Sequence, residues 1–134
     1  MKTAQTLVLV TLLVAGLACG YSSKSGMNTP ASPGNMPTIA ALVPANAAAG
    51  SSLGTNGLMA TGTHFNSNAT INWNGNALTT TFVSATQLTA TVPDADLASA
   101  GTAGVTVTNP GTSGGIYGGG TSPETSNSMT FTIN

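Results

Sequence analysis

Few side chains in this chain could do chemistry: one Cys, one His and three carboxylates among 134 residues. His64 is the single imidazole, so no pair of histidines exists to ligate a metal. A serine nucleophile needs a base and a group to orient that base, and neither Asp94 nor Asp96 has a sequence link to His64. A polar turn residue ahead of a buried Phe65 is the favoured role of His64. Asp94 and Asp96 could approach Ca²⁺ with the help of backbone carbonyls, but two carboxylates make a poor cage. Asp94 is better read as the N-cap of one helical turn over Asp94-Ala95-Asp96-Leu97-Ala98. Glu124 stands alone in a loop, and Gly118-Gly119-Gly120 lacks the Lys and the helix that a phosphate loop requires. No catalytic residue, metal ligand or cofactor is expected, and the chain reads as a non-enzyme. A small hydrolase is the reading least supported.

The remaining reactive group, Cys19, sits at the end of an exported leader. Lys2 supplies a minimal positive start, and Leu7-Val8-Leu9-Val10-Thr11-Leu12-Leu13-Val14-Ala15 is an apolar run too short to cross a bilayer permanently. Residues 1–18 therefore read as a signal peptide. Gly16-Leu17-Ala18-Cys19 resembles a bacterial lipobox, whose Cys is acylated and becomes the new N-terminus. Gly16 departs from it, since the pattern prefers Leu three places before the Cys. Ordinary cleavage after Ala18 is the alternative, which would leave a secreted soluble protein without a lipid anchor. A lone thiol in an oxidising compartment favours the lipid. Residues 19–36 carry Ser22, Ser23, Ser25, Gly26, Pro30, Ser32, Pro33 and Gly34 without apolar periodicity, and read as a flexible tether behind a lipidated Cys19. Gly20 follows Cys19, with no Asp there to favour inner-membrane retention in a Gram-negative host. The expected address is the cell envelope, as an outer-membrane-anchored lipoprotein.

Composition narrows the partners. Lys+Arg number 2, Asp+Glu 3, and the net charge is −1, so there is almost nothing with which to displace counterions from nucleic acid. Polarity comes from Thr, Ser and Asn, punctuated by 17 Gly and 7 Pro, a mixture that suits short strands joined by turns.

The strands follow from residue 37 onward. Ile39 to Val43 breaks the period of two, which predicts a bulge or a change of sheet. Leu58 and Ala60 alternate with Met59 and Thr61, and Ile71 and Trp73 share one face across Asn72. Asn74-Gly75 predicts a type I′ hairpin turn, because both residues tolerate positive φ. Further strands are centred on Phe82, on Leu88-Thr89-Ala90-Thr91-Val92, on Val105-Thr106-Val107 and on Met129-Thr130-Phe131-Thr132-Ile133. Phe65, Ile71, Trp73, Phe82, Leu88, Val92, Val105, Val107, Phe131 and Ile133 form the expected core. About seven strands at short spacing indicate an all-β sandwich.

The ordered set Pro37-Thr38-Ile39, Pro44, Gly62-Thr63-His64-Phe65, Ile71-Asn72-Trp73-Asn74-Gly75, Thr86-Gln87-Leu88 and Val92-Pro93 resembles the immunoglobulin-like IPT/TIG domain. Gly104-Val105-Thr106-Val107-Thr108-Asn109-Pro110, Ser126-Asn127, Phe131 and Ile133 complete the resemblance, which covers residues 37–134. It implies an immunoglobulin-like β-sandwich and no activity. A longer connection than usual, residues 111–127, precedes the last strand.

The resulting expectation is a non-enzymatic envelope lipoprotein whose immunoglobulin-like domain serves in binding or surface structure, with membrane contact through the N-terminal lipid. A protein or polysaccharide is its possible further partner, nucleic acid is not, and a carbohydrate-binding accessory module is the alternative. Trp73 would suit a sugar only if exposed, and its alternation places it inside. Ile116 and Tyr117, flanked by glycines in the 111–127 loop, are the candidate partner contact.

Overall fold

Alternation of apolar and hydroxylated residues along each strand gives every sheet one face to bury and one to leave wet. The computed structural model describes residues 35–114, 116 and 119–134. In chain order the strands are β1 (Thr38–Val43), β2 (Asn46–Ala47), β3 (Leu58–Thr63), β4 (Thr70–Trp73), β5 (Asn76–Ala77) and β6 (Thr79–Ser84). There follow β7 (Gln87–Thr91), a 3₁₀ turn at Asp94–Leu97, β8 (Gly101–Asn109), β9 (Glu124–Thr125) and β10 (Met129–Ile133). Seven of them have four residues or more, which is the expected sandwich, and three are two-residue pairings at its margins. One sheet runs β1-β3-β7-β6; the other runs β2-β10-β8-β4-β5, with β9 beside β8.

Between the sheets lie Leu58, Ile71, Leu88, Leu97, Val105, Val107 and Phe131, all fully buried. Trp73 is 2% exposed and packs on Phe131 with ring centroids 5.0 Å apart at 55°, a tilted geometry that suits the aromatic quadrupoles. Nine of the ten expected core residues are buried. The exception is Phe82, 38% exposed. Its partner across the ladder is the buried Leu88, so Phe82 points to the apolar side. However, β6 is an edge strand, with no neighbouring strand on its outer flank to complete the cover over Phe82.

Both outcomes expected near residue 40 occur. The β1–β3 register shifts between Ile39 and Ala41, and beyond Pro44 the chain changes sheets to pair β2 in parallel with β10. At Asn74 and Gly75 φ is +49° and +86°, the left-handed pair that joins β4 to β5. The 3₁₀ turn departs from expectation. Pro93 occupies its N-cap position with extended backbone, no side chain caps it, and Asp94 lies within its first turn.

Candidate functional site

Strand register sorts the loops into two ends of the sandwich. At the first end, Thr38 opens β1 beside Thr63 at the close of β3. Beside them lies the β6–β7 turn, through Gly62 N–H donating to Thr86 O at 2.9 Å and Phe65 N–H to Ala85 O at 2.9 Å. Asn109 ends β8 there, opposite Glu124. The chain therefore enters the domain at the same end from which the 110–123 loop projects. At the second end lie the 44–57 loop, the Asn74–Gly75 turn, the 3₁₀ turn and Asn134; Gly50 N–H donates to Leu97 O at 2.7 Å and Ala49 N–H to Asn134 O at 2.6 Å.

This sorting disperses the titratable groups. His64 and Glu124 belong to the first end, Asp94 and Asp96 to the second, roughly a strand length of 20 Å away. The imidazole of His64 is exposed and its Nδ1 lies 3.2 Å from Thr63 Oγ1. Among the described residues no group of His, Cys, Asp and Glu could hold a metal ion. A shallow cleft of about 300 Å³ opens at the second end, lined by Ser52, Gly54, Thr55, Thr91, Val92 and Asp94. It presents hydroxyls and one carboxylate, with no base or nucleophile pair.

At the first end two asparagines do structural work that sequence reasoning missed. Asn109 is 3% exposed; its Oδ1 accepts from Asn66 N–H at 3.0 Å and its Nδ2 donates to His64 O at 2.7 Å. The 64–69 crossing is thereby pinned to β8, and His64 is held at φ +60°. Asn127 reaches the opposite sheet, where Oδ1 accepts from Ile39 N–H at 2.9 Å and Nδ2 donates to Ile39 O at 3.0 Å. Its amide imitates a strand partner just where the β1 bulge interrupts the ladder. Gly62 is required beside them, since a Cβ there would collide with Thr38 O and lie 2.7 Å from the Phe65 ring. No buried side-chain polar atom among the described residues lacks a partner.

The 110–123 loop is closed at its base by Thr121 N–H donating to Thr112 O at 3.0 Å and Thr112 N–H to Thr121 Oγ1 at 3.0 Å. Ile116, beyond this pinch, is 94% exposed. Tyr117 and Cys19, with the signal peptide and most of the tether, lie outside the described residues. The span expected as one long loop is shorter in fact, because Glu124–Thr125 pairs with β8 and Asn127 is tied to Ile39.

The outer faces carry no charge. Across the β1-β3-β7-β6 sheet the register aligns Val43, Met59, Thr89 and Thr81 in one row and Ala41, Thr61, Gln87 and Ser84 in the next. On the other sheet Thr70, Thr108 and Thr125 align similarly.

A comparison with protein-family models matches the IPT/TIG domain over residues 37–133, well over half of the chain. Comparisons with curated proteins and with solved structures returned no match.

Proposed function

The chain belongs to the IPT/TIG domain family, and from that premise we propose that it is a non-enzymatic module of the bacterial cell envelope, exported by residues 1–18 and held by a lipid on Cys19. In this reading residues 19–36 tether residues 37–134 to the outer membrane. The domain then serves in binding or surface structure, with Ile116 and Tyr117 in its contact loop and a protein or polysaccharide as possible further partner. The observation that carries the reading is the dispersal of the few titratable groups among the described residues to opposite ends of a sandwich whose outer faces are uncharged, mixing hydroxylated with apolar side chains. Such an arrangement lacks the converging acid, base and nucleophile that catalysis needs.

A carbohydrate-binding accessory role is the second reading, favoured only by the hydroxyl-lined cleft at Thr55, Thr91 and Asp94. The burial of Trp73 removes that ring as a platform on which a sugar would stack. The test of the main reading is membrane fractionation of the full chain. Wild type is expected with the membranes, and Cys19→Ser in the soluble fraction or unprocessed. Wild type in the soluble fraction would contradict the anchor and leave the secreted, lipid-free form.

A further inference from the structure

We infer that the domain does not hang free on its tether but rests its first end on the lipid surface, with Ile116 as the apolar contact. The inference rests on the proposed anchor and names the partner of the loop as a bilayer. Three observations converge on it. Residue 35, where the described chain begins, leads directly into β1 at this end, so the tether from Cys19 arrives beside the 110–123 loop. A flexible chain of the length from Cys19 to residue 35 would span about 20–25 Å root-mean-square, which would keep that end within reach of the bilayer that holds the lipid. Apolar side chains that the fold leaves exposed also concentrate there. Met36 (59% exposed) precedes β1, Val83 (51%) lies at the bulge just before the β6–β7 turn, and Ile116 lies beyond the Thr112–Thr121 closure of the loop. Of the large exposed apolar residues among those described, Val43 alone belongs toward the second end, opposite Met59.

Charge agrees with this orientation. Asp94 and Asp96 face away from the tethered end, where they avoid the anionic headgroups that would repel them. The first end carries His64 and a half-buried Glu124, and no Lys or Arg occurs among the described residues. Contact must therefore be apolar, and added salt should not weaken it.

The test uses the full acylated chain reconstituted into phosphatidylcholine vesicles, with an environment-sensitive fluorophore on Ser113→Cys or, for the far end, on Thr55→Cys. An acylated Cys19 thiol cannot take the label, so labelling of the wild type reports a failed anchor. The expected result is a blue-shifted Ser113→Cys reporter, quenched several-fold more than the Thr55→Cys reporter by spin-labelled lipid. Ile116→Asp should abolish the difference, while added salt should leave it unchanged. Equal, water-like emission from both reporters on vesicles that still carry the protein would overturn the inference and leave the anchor standing. Quenching at Ser113→Cys that survives Ile116→Asp would overturn the apolar contact, since it would report nearness by tethering alone. Protein that does not float with the vesicles would overturn the anchored reading and this inference with it.

Discussion

Replacing Asn109 by Ala should be among the most costly polar changes available to this domain. The side chain is 3% exposed and makes two hydrogen bonds that close the 64–69 crossing onto β8. Truncation leaves Asn66 N–H and His64 O without partners. A partnerless buried group costs about 1–3 kcal/mol. Here Asn66 and His64 are themselves exposed residues, so water can reach part of the opened site and the lower half of that range applies to each. The sum is about 2–4 kcal/mol, to which release of His64 from φ +60° adds nothing favourable until the crossing itself loosens. Against the roughly 5–15 kcal/mol that holds a typical domain, this is a large fraction. Urea unfolding of the full chain should show it as a midpoint lower by about 1–2 M at a slope of about 2 kcal/mol/M, the middle of the range for a small protein. Asn109→Asp keeps the acceptor for Asn66 N–H but removes the donor to His64 O and sets a carboxylate against that carbonyl, so it should fare no better than Ala. A midpoint within about 0.3 M of wild type for either variant, with unchanged slope, would refute the pinning role.

Three further outcomes are expected. Trp73→Ala should cost about 3–5 kcal/mol by opening a cavity against Phe131, and wild-type Trp emission should be blue-shifted and poorly quenched; red-shifted, readily quenched emission would contradict its burial. Gly62→Ala should lower stability by about 1–3 kcal/mol, because the new methyl must displace the Thr38 carbonyl or the Phe65 ring, and a thermal midpoint equal to wild type would show that β1 yields freely. Replacing residues 114–120 with a short turn should change stability by less than about 0.5 kcal/mol, since the Thr112–Thr121 closure remains; a large loss would mean that the loop tip packs on the domain.

Much of this molecule was legible in short-range pattern. Ile71 and Trp73 two apart, and Asn74-Gly75 behind them, predict a buried strand face and a left-handed turn, and both are present. Such features depend on residues a few places apart, where period and φ preference decide. Phe82 departs from expectation because its alternation is sound while its burial depends on where its strand falls in the sheet, and β6 is an edge strand. Asn127 was missed for a related reason. It acts on Ile39, 88 positions away, and although Ser126-Asn127 belongs to the family resemblance, its local sequence carries no sign of that distant contact. Asn109 reads locally as the stop before Pro110, although its amide closes a crossing more than 40 residues earlier. The placement of Asp94 failed on backbone chemistry, since Pro93 with φ −61° and ψ 139° already occupies the capping position. The two-ended sorting of loops required the register of β1, β3 and β8.

The most direct measurement of the envelope reading is the mass of the mature N-terminal peptide, taken from protein purified out of membranes of an exporting bacterial host. The lipid-anchored account predicts a chain that begins at Cys19 and carries the added mass of a thioether-linked diacylglycerol. A chain that begins at Cys19 with a free or oxidised thiol, or one that retains residues 1–18, would contradict it.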